Sequence, residues 1–244
     1  MKKITKTLTA IFTTFLFSTF YIHSEEMTFS IPGKGEITKD VTLVEERTFD
    51  KNGRLFSVKQ ASGPLITYKY DKKGRISTVS HDSGYKEIFK YNKQGLLIHK
   101  KTSEDIEEWY DYDANNVLLA KRGNDSTGRQ YTYNEKGRLA EITYYEGDVV
   151  LYSEFYEYND NGRRSKKFTT FGEEESYTYD EKGRLVKKTY SDDTYTEYFY
   201  SEKGHLLYSH TAIQDSEEET FYVYEVSEDG KLKSSKKYMW SVFG

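Results

Sequence analysis

The stretch SYTYDEKGRLVKKTY, Ser176 to Tyr190, decides how the chain is read. Tyr177 and Tyr179 flank Thr178, and this period of two places both rings on one face of a β-strand. Asp180 opens a type I turn, because its carboxylate accepts hydrogen bonds from backbone N–H groups two residues on. Gly183 closes that turn in a left-handed conformation that is costly for other residues. The stretch is therefore a hairpin with a bulged turn. Leu185 falls across from the second tyrosine as an aromatic–aliphatic pair.

The unit recurs along the chain. Its glycines are Gly53, Gly74, Gly95, Gly137, Gly162, Gly183, Gly204 and Gly230, with Asn116 in the place between Gly95 and Gly137. Asn is the best substitute where φ is positive. Most steps are 21 residues; those from Gly137 to Gly162 and from Gly204 to Gly230 are 25 and 26. Asp, Asn or Ser stands three residues before each glycine, and Leu or Ile two residues after it, except at Arg164. Further turn signals lie between the units, among them Asp82-Ser83-Gly84, Glu146-Gly147-Asp148 and Phe171-Gly172.

The spacing predicts an all-β fold. Nine tandem β-hairpin repeats of about 21 residues, spanning 47–244, follow capping strands over 25–46 that break at Pro32-Gly33-Lys34-Gly35. Sheets of more than about 10 strands tend to curl, so one long curled antiparallel sheet is expected, spiral or open barrel-like. Its tyrosine face is read as inward. A buried aromatic removes about 150–250 Å² from water, and leaving some fifteen rings half exposed would lose on the order of 30 kcal/mol. Net stability is only about 5–15 kcal/mol. On this reading Tyr179 is core and Tyr190 exposed; Gly183 needs positive φ and Gly172 does not.

The chain has 24 tyrosines, two prolines and no cysteine. Lys2, Lys3 and Lys6 precede an uncharged run from Leu8 to Ile22, and Glu25 and Glu26 follow. That is the layout of a secretory signal peptide, here 1–24. The run is shorter than the about 20 apolar residues of a comfortable membrane span. The mature chain is thus expected to be exported, to the periplasm, cell surface or medium, with no transmembrane anchor. The formal charge of −4 falls to −7 once the three signal lysines leave. Such acidity argues against nucleic acid and anionic membranes as partners.

Little in the sequence suggests catalysis. His81, His99, His205 and His210 show no metal-ligand spacing. His205 takes the column after the glycine, where Arg is usual, and reads as a surface turn residue. The echo of a calcium loop at Asn124-Asp125-Ser126-Thr127-Gly128 reads as a plain turn. Arg54, Arg75, Arg138, Arg163 and Arg184 form a row of charge that neighbouring acids balance. No catalytic residue, metal or cofactor is expected. Six aromatics outside the main columns are candidate ligand contacts: Trp109, Tyr145, Tyr190, Tyr195, Phe199 and Tyr208. Ordinary packing is the competing reading for each.

The motif Tyr-x-Tyr-Asp-x-x-Gly-Arg-Leu, intact at Tyr177–Leu185 and present with Ile at Tyr68–Ile76, resembles the YD repeat, also called the Rhs repeat, over residues 47 to about 235. The resemblance implies a spiralling β-sheet, which in long members forms a hollow shell around a toxin domain. This chain would be a short member without that domain. The expected function is a secreted, non-enzymatic β-repeat binding or structural protein of the bacterial cell envelope, with a polymer such as a glycan, or a protein, as ligand. The resemblance also implies an alternative, a component of a toxin-delivery or immunity system. A glycan-active enzyme is the third reading.

Overall fold

A computed structural model describes residues 24–243. The expected signal segment, apart from Ser24, lies outside them. The described chain is all-β, and its strands pair antiparallel. It divides into two compact units, Leu65–Asp193 and the residues up to Pro64 together with those from Thr194 on.

The first unit holds β1 (Ser24–Ile31), β2 (Gly35–Phe49), β3 (Leu55–Gln60), β16 (Tyr195–Tyr200), β17 (Leu206–Ile213), β18 (Ser216–Val226) and β19 (Leu232–Phe243). The second is a meander of β4 (Leu65–Tyr70), β5 (Ile76–His81), β6 (Lys86–Tyr91), β7 (Leu97–Thr102), β8 (Glu107–Tyr112), β9 (Leu118–Gly123), β10 (Thr127–Tyr133), β11 (Leu139–Glu146), β12 (Val149–Tyr158), β13 (Arg164–Thr169), β14 (Glu174–Tyr179) and β15 (Leu185–Tyr190). The nineteen strands are nine repeat hairpins plus β1. β2 runs unbroken from the cap into the first repeat: its first half pairs with β1 and its second with β3. On its other side β2 pairs with the last strand, β19.

Each turn is built as its residues dictate. At the first, the Asp50 carboxylate accepts from the N–H groups of Asn52 and Arg54 at 2.8 and 3.0 Å, and Gly53 takes φ +75°. Across the hairpin, Tyr70 faces Ile76 and Tyr179 faces Leu185, with a bulge beside each pair. The ladders between successive hairpins are short. β5 and β6, for example, pair only over Thr78–Ser80, which leaves the Ile76 carbonyl beyond the ladder. A tyrosine fills that gap: the Tyr91 hydroxyl donates to the Ile76 carbonyl at 2.7 Å. The same link recurs at 2.8 Å from Tyr112 to Leu97, Tyr133 to Leu118, Tyr158 to Leu139, Tyr179 to Arg164 and Tyr224 to Leu206. Every repeat so joined is tied to its predecessor.

At four of these six links the residue after the turn glycine lies on the ring. Arg75 lies 4.3 Å from the Tyr91 ring, Arg138 5.6 Å from Tyr158 and Arg163 5.9 Å from Tyr179. His205 does the same, its ring centroid 5.1 Å from that of Tyr224. It is a packing residue and not the surface turn residue expected. The arginine also reaches the next glycine. A Cβ on Gly162 would sit 2.7 Å from Arg138 Cζ, and one on Gly183 2.6 Å from Arg163 Nε. Asn116 follows a repeat that carries Leu96 in place of the arginine. It holds φ +65° without that obstacle.

On the tyrosine face a second column varies in its chemistry. Five residues after the glycine stand Val58, Val79 and Ile142, all buried, or Lys100, Lys121, Lys167 and Lys188, with Ser209 and Ser235 in the last two repeats. Where lysine stands there, a glutamate stands eight residues before the glycine. Lys100 bridges Glu87 and Glu108 at 3.4 and 3.1 Å, and Lys121 pairs with Glu108. Lys167 bridges Glu154 and Glu175 at 3.8 and 3.3 Å, and Lys188 lies 3.1 Å from Glu175. Tyrosine hydroxyls complete the network: Tyr110 donates to Glu108 at 2.8 Å, Tyr156 to Glu154 at 2.6 Å, and Tyr177 to Glu175. Burial pushes the Glu108 carboxyl up, but hydrogen bonds from Lys121, Tyr110 and Lys100 outweigh it and hold the group below its ordinary value.

The fully buried core lies in the first unit. There the β1–β2 hairpin lays Phe29, Ile31 and Val41 against Tyr208, Phe221 and Tyr238. Phe29 stacks on Phe221 with centroids 4.2 Å apart. Elsewhere the tyrosine columns are only half-buried, Tyr179 and Tyr190 alike. The expectation of a core Tyr179 and an exposed Tyr190 is therefore corrected. Neighbouring side chains cover each ring from the flanks, and Lys188 lies 4.3 Å over Tyr190. Gly172 is also corrected: it takes φ +87°, beside +79° at Gly183, because the inter-repeat turns use the same closing conformation.

Three measurements check this account. Tyr179→Phe removes only the hydroxyl link and should cost about 1 kcal/mol in urea denaturation. Tyr179→Ala should cost clearly more, and a neutral Tyr179→Phe would mean the link is idle. Gly162→Asn should destabilise by about 1 kcal/mol and Gly137→Asn by less than about 0.5 kcal/mol, because no side chain lies within 4 Å of a Cβ on Gly137. Arg138→Ala should relieve the Gly162 variant. In alkali, the half-buried tyrosines set the limit. Burial pushes Tyr177 up to about 12, with the Glu175 hydrogen bond adding to it, and burial first also takes Tyr144 to about 12. Unfolded tyrosine ionises near about 10. Folded-state values above that give stability that is whole below pH about 10 and lost as pH rises toward 12. Tyrosinate absorbance and β-signal should therefore change together in that window, whereas independent titration at pH 10 with the sheet intact would refute the assignment.

Candidate functional site

On the face opposite the tyrosine columns, β7, β8 and β9 bring together His99, Trp109 and Arg122, which are register partners in successive strands. Trp109 alternates with Tyr110 and Tyr112, so period two turns it away from the columns. It is 39% exposed. His99 flanks it, ring centroids 5.4 Å apart at 34°. His99 Nε2 lies 2.7 Å from Glu107 Oε2, and Lys101 Nζ lies 2.9 Å from Glu107 Oε1. These two hydrogen bonds, Lys101 first, hold the Glu107 carboxyl below its ordinary value. On the other flank Arg122 grips Asp111 with two N–H groups at 2.9 and 3.1 Å. The result is a fixed aromatic surface between two polar flanks, suited to stacking with a ring or an apolar side chain beside hydrogen-bonding groups.

The other five candidates lie elsewhere. Tyr145 folds its ring over Gly128 and takes the space a Cβ would need there. Tyr190 packs under Lys188. Tyr195 meets His210 edge-on at 6.2 Å. Phe199 lies 5.4 Å from Tyr208 and 4.9 Å below Lys34 Nζ. Tyr208 is 1% exposed, and its hydroxyl donates to Glu219 at 2.7 Å. The structure places it in the core, where it has no surface to offer a ligand. Of the six, Phe199 and Tyr208 are in ring contact with each other.

Two sequence features resolve as local structure. Asp125 accepts from the Thr127 amide at 3.1 Å and from its hydroxyl at 2.7 Å, which makes the calcium-loop echo a turn. The row of arginines is paired or stacked: Arg54, Arg75 and Arg184 bridge Asp50, Asp71 and Asp180 at 2.6 Å. His99 and Arg122 were not singled out from sequence as partners of Trp109. Their signal was register, since strand spacing places all three side by side. Among the described residues no acid, histidine or cysteine cluster could hold a metal, and no helix is long and apolar enough to cross a membrane.

The comparisons with known proteins concern the repeats. A Teneurin YD-shell family model matches residues 21–174 and an RHS repeat model matches 158–195. Both are structural repeat families and neither is an enzyme family. No curated protein matches. Among solved structures, the Photorhabdus luminescens Tc holotoxin pore is 16% identical at a TM-score of 0.40, over 83% of this chain and 11% of that one. The TcdB2-TccC3 structure is 14% identical at 0.38, over 82% and 14%. This chain therefore spans only a small fraction of those proteins. A porin-like protein from Bacteroides uniformis is 10% identical at 0.44, over 85% and 99%. With the shell model covering well over half of its residues, the chain belongs to the Teneurin YD-shell family of YD/RHS-repeat proteins.

Proposed function

We propose that the chain is a non-enzymatic binding and structural module of the bacterial cell envelope, exported to its site of action, which holds a glycan or protein partner on the face around Trp109. One observation carries this reading: a large indole left 39% exposed, with the His99 ring packed beside it and Arg122 its register partner on the other strand. Tryptophan is the side chain most enriched at energetic centres of interfaces, and flanking groups such as Glu107 and the Arg122–Asp111 pair would give a ligand orientation. The repeat framework supplies rigidity, because its tyrosine hydroxyls and lysines are engaged within the sheet.

A second reading, a component of a toxin-delivery or immunity system, is favoured by the family match. A gene for a toxin beside that for this chain would favour it over the first.

A glycan array probed with the purified mature chain tests the first reading. Binding to one glycan class is expected, weakened at least about tenfold by Trp109→Ala and partly kept by Trp109→Phe, with both variants as folded as the parent. Equal binding by Trp109→Ala would remove this face from the function.

A further inference from the structure

The hairpin that joins two repeats through the Glu146-Gly147-Asp148 turn, β11–β12, overhangs its neighbour β13. The step from Gly137 to Gly162 is 25 residues where most are 21. β12 pairs with β11 from Val149 onward. Its other neighbour, β13, pairs with it only from Glu154 to Tyr158. Ser153 closes that junction, its carbonyl accepting from the Thr170 amide at 3.0 Å and its amide donating to Thr170 Oγ1 at 3.3 Å. Among the described residues, Val149–Tyr152 thus has a strand on one side only.

An open strand edge presents unpaired N–H and C=O groups, and proteins usually blunt it with charge, proline or cover. This edge is apolar and uncovered. Val149, Val150 and Leu151 are 64, 63 and 49% exposed, and Phe171 beside them is 71% exposed. Tyr152 stacks on Tyr144 at 4.3 Å and meets Phe171 at 5.6 Å, which holds the edge in place. Arg129 is engaged on the Tyr144 ring at 4.7 Å. Glu146, Asp148 and Glu173 rim the edge, exposed and in no ion pair among the described residues.

We propose that Val149–Tyr152 is a strand-addition site that pairs, backbone to backbone, with an extended segment of a partner polypeptide, apolar at alternate positions and flanked by lysine or arginine. Main-chain hydrogen bonds give such pairing its affinity and alternate side chains its specificity. The uncompensated acids select a basic flank. They also disfavour the same edge of a second copy, which would gather both sets of acids into one rim. The site lies on β12, away from Trp109 on β8, and stands independently of the function proposed above.

A fluorescein-labelled peptide, Lys-Lys-Thr-Val-Thr-Val-Lys-Lys, titrated with the full chain and read by anisotropy, tests the proposal. It should bind about tenfold tighter than its counterpart with Glu for every Lys, and about tenfold tighter than the same peptide with alternate amides N-methylated. Glu146→Lys combined with Asp148→Lys should reverse the charge preference, while Trp109→Ala should leave peptide binding unchanged. Equal affinity of the N-methylated peptide would overturn strand pairing in favour of simple apolar adhesion. Absence of saturable binding would overturn the site. A concentration-dependent dimer in sedimentation, broken by Val150→Glu, would show that a second copy is the occupant and overturn the partner assigned here.

Discussion

A tyrosine hydroxyl bound to the backbone carbonyl of the preceding hairpin is the contact on which this fold depends. Short ladders between hairpins leave a carbonyl unpaired just past each bulge, and an unpaired polar backbone group under a ring is costly. Six tyrosines from Tyr91 to Tyr224 solve that problem in the same way. The hydroxyl satisfies the carbonyl, and at four of the six an arginine or histidine after the glycine lies on the ring. A chain poor in aliphatic side chains can thereby hold a long sheet with little deeply buried hydrocarbon.

The link also explains which substitutions the columns tolerate. Tyrosine is required for reach and for its hydroxyl, so phenylalanine would leave the carbonyl bare. At Gly162 and Gly183 glycine is required twice over, once for φ and once for the space that the arginine of the preceding repeat takes. Asn116 shows the first requirement without the second. Likewise the column five residues after the glycine holds a buried aliphatic side chain, a lysine when a glutamate is in register to neutralise it, or a serine in the last two repeats. Burying a lysine there alone would be costly.

Everything set by contacts within one hairpin was legible in the sequence: the Asp or Asn that opens each turn, the closing glycine, the alternation of tyrosines and the facing leucine. What escaped was set by contacts between hairpins. His205 was assigned to the surface because its covering partner, Tyr224, belongs to the next hairpin; Tyr190 was misread within its own strand, where Lys188 two residues before it folds over the ring. Gly172 was underrated because inter-repeat turns vary in sequence while sharing a backbone conformation. The column rings occupy a state between core and exposed, half-buried and capped from the flanks, which burial area alone does not distinguish. At the candidate site Trp109 was legible as an aromatic out of column, but His99 and Arg122 become its neighbours only through strand register. Tyr208 shares that out-of-column signature and is nevertheless core, because the β1–β2 hairpin covers it.

The hydroxyl link has a bearing on how such a chain can change length. Four of the six links span 15 residues and reach back one hairpin. A whole repeat excised or duplicated by recombination within the gene leaves a seam where a tyrosine hydroxyl still meets the backbone carbonyl two residues past a turn glycine or its equivalent. The array is thus modular at the level of heredity: its natural mutation is the gain or loss of a complete hairpin. Insertions of any other size are confined to the turn ends, as the extended β11–β12 hairpin shows.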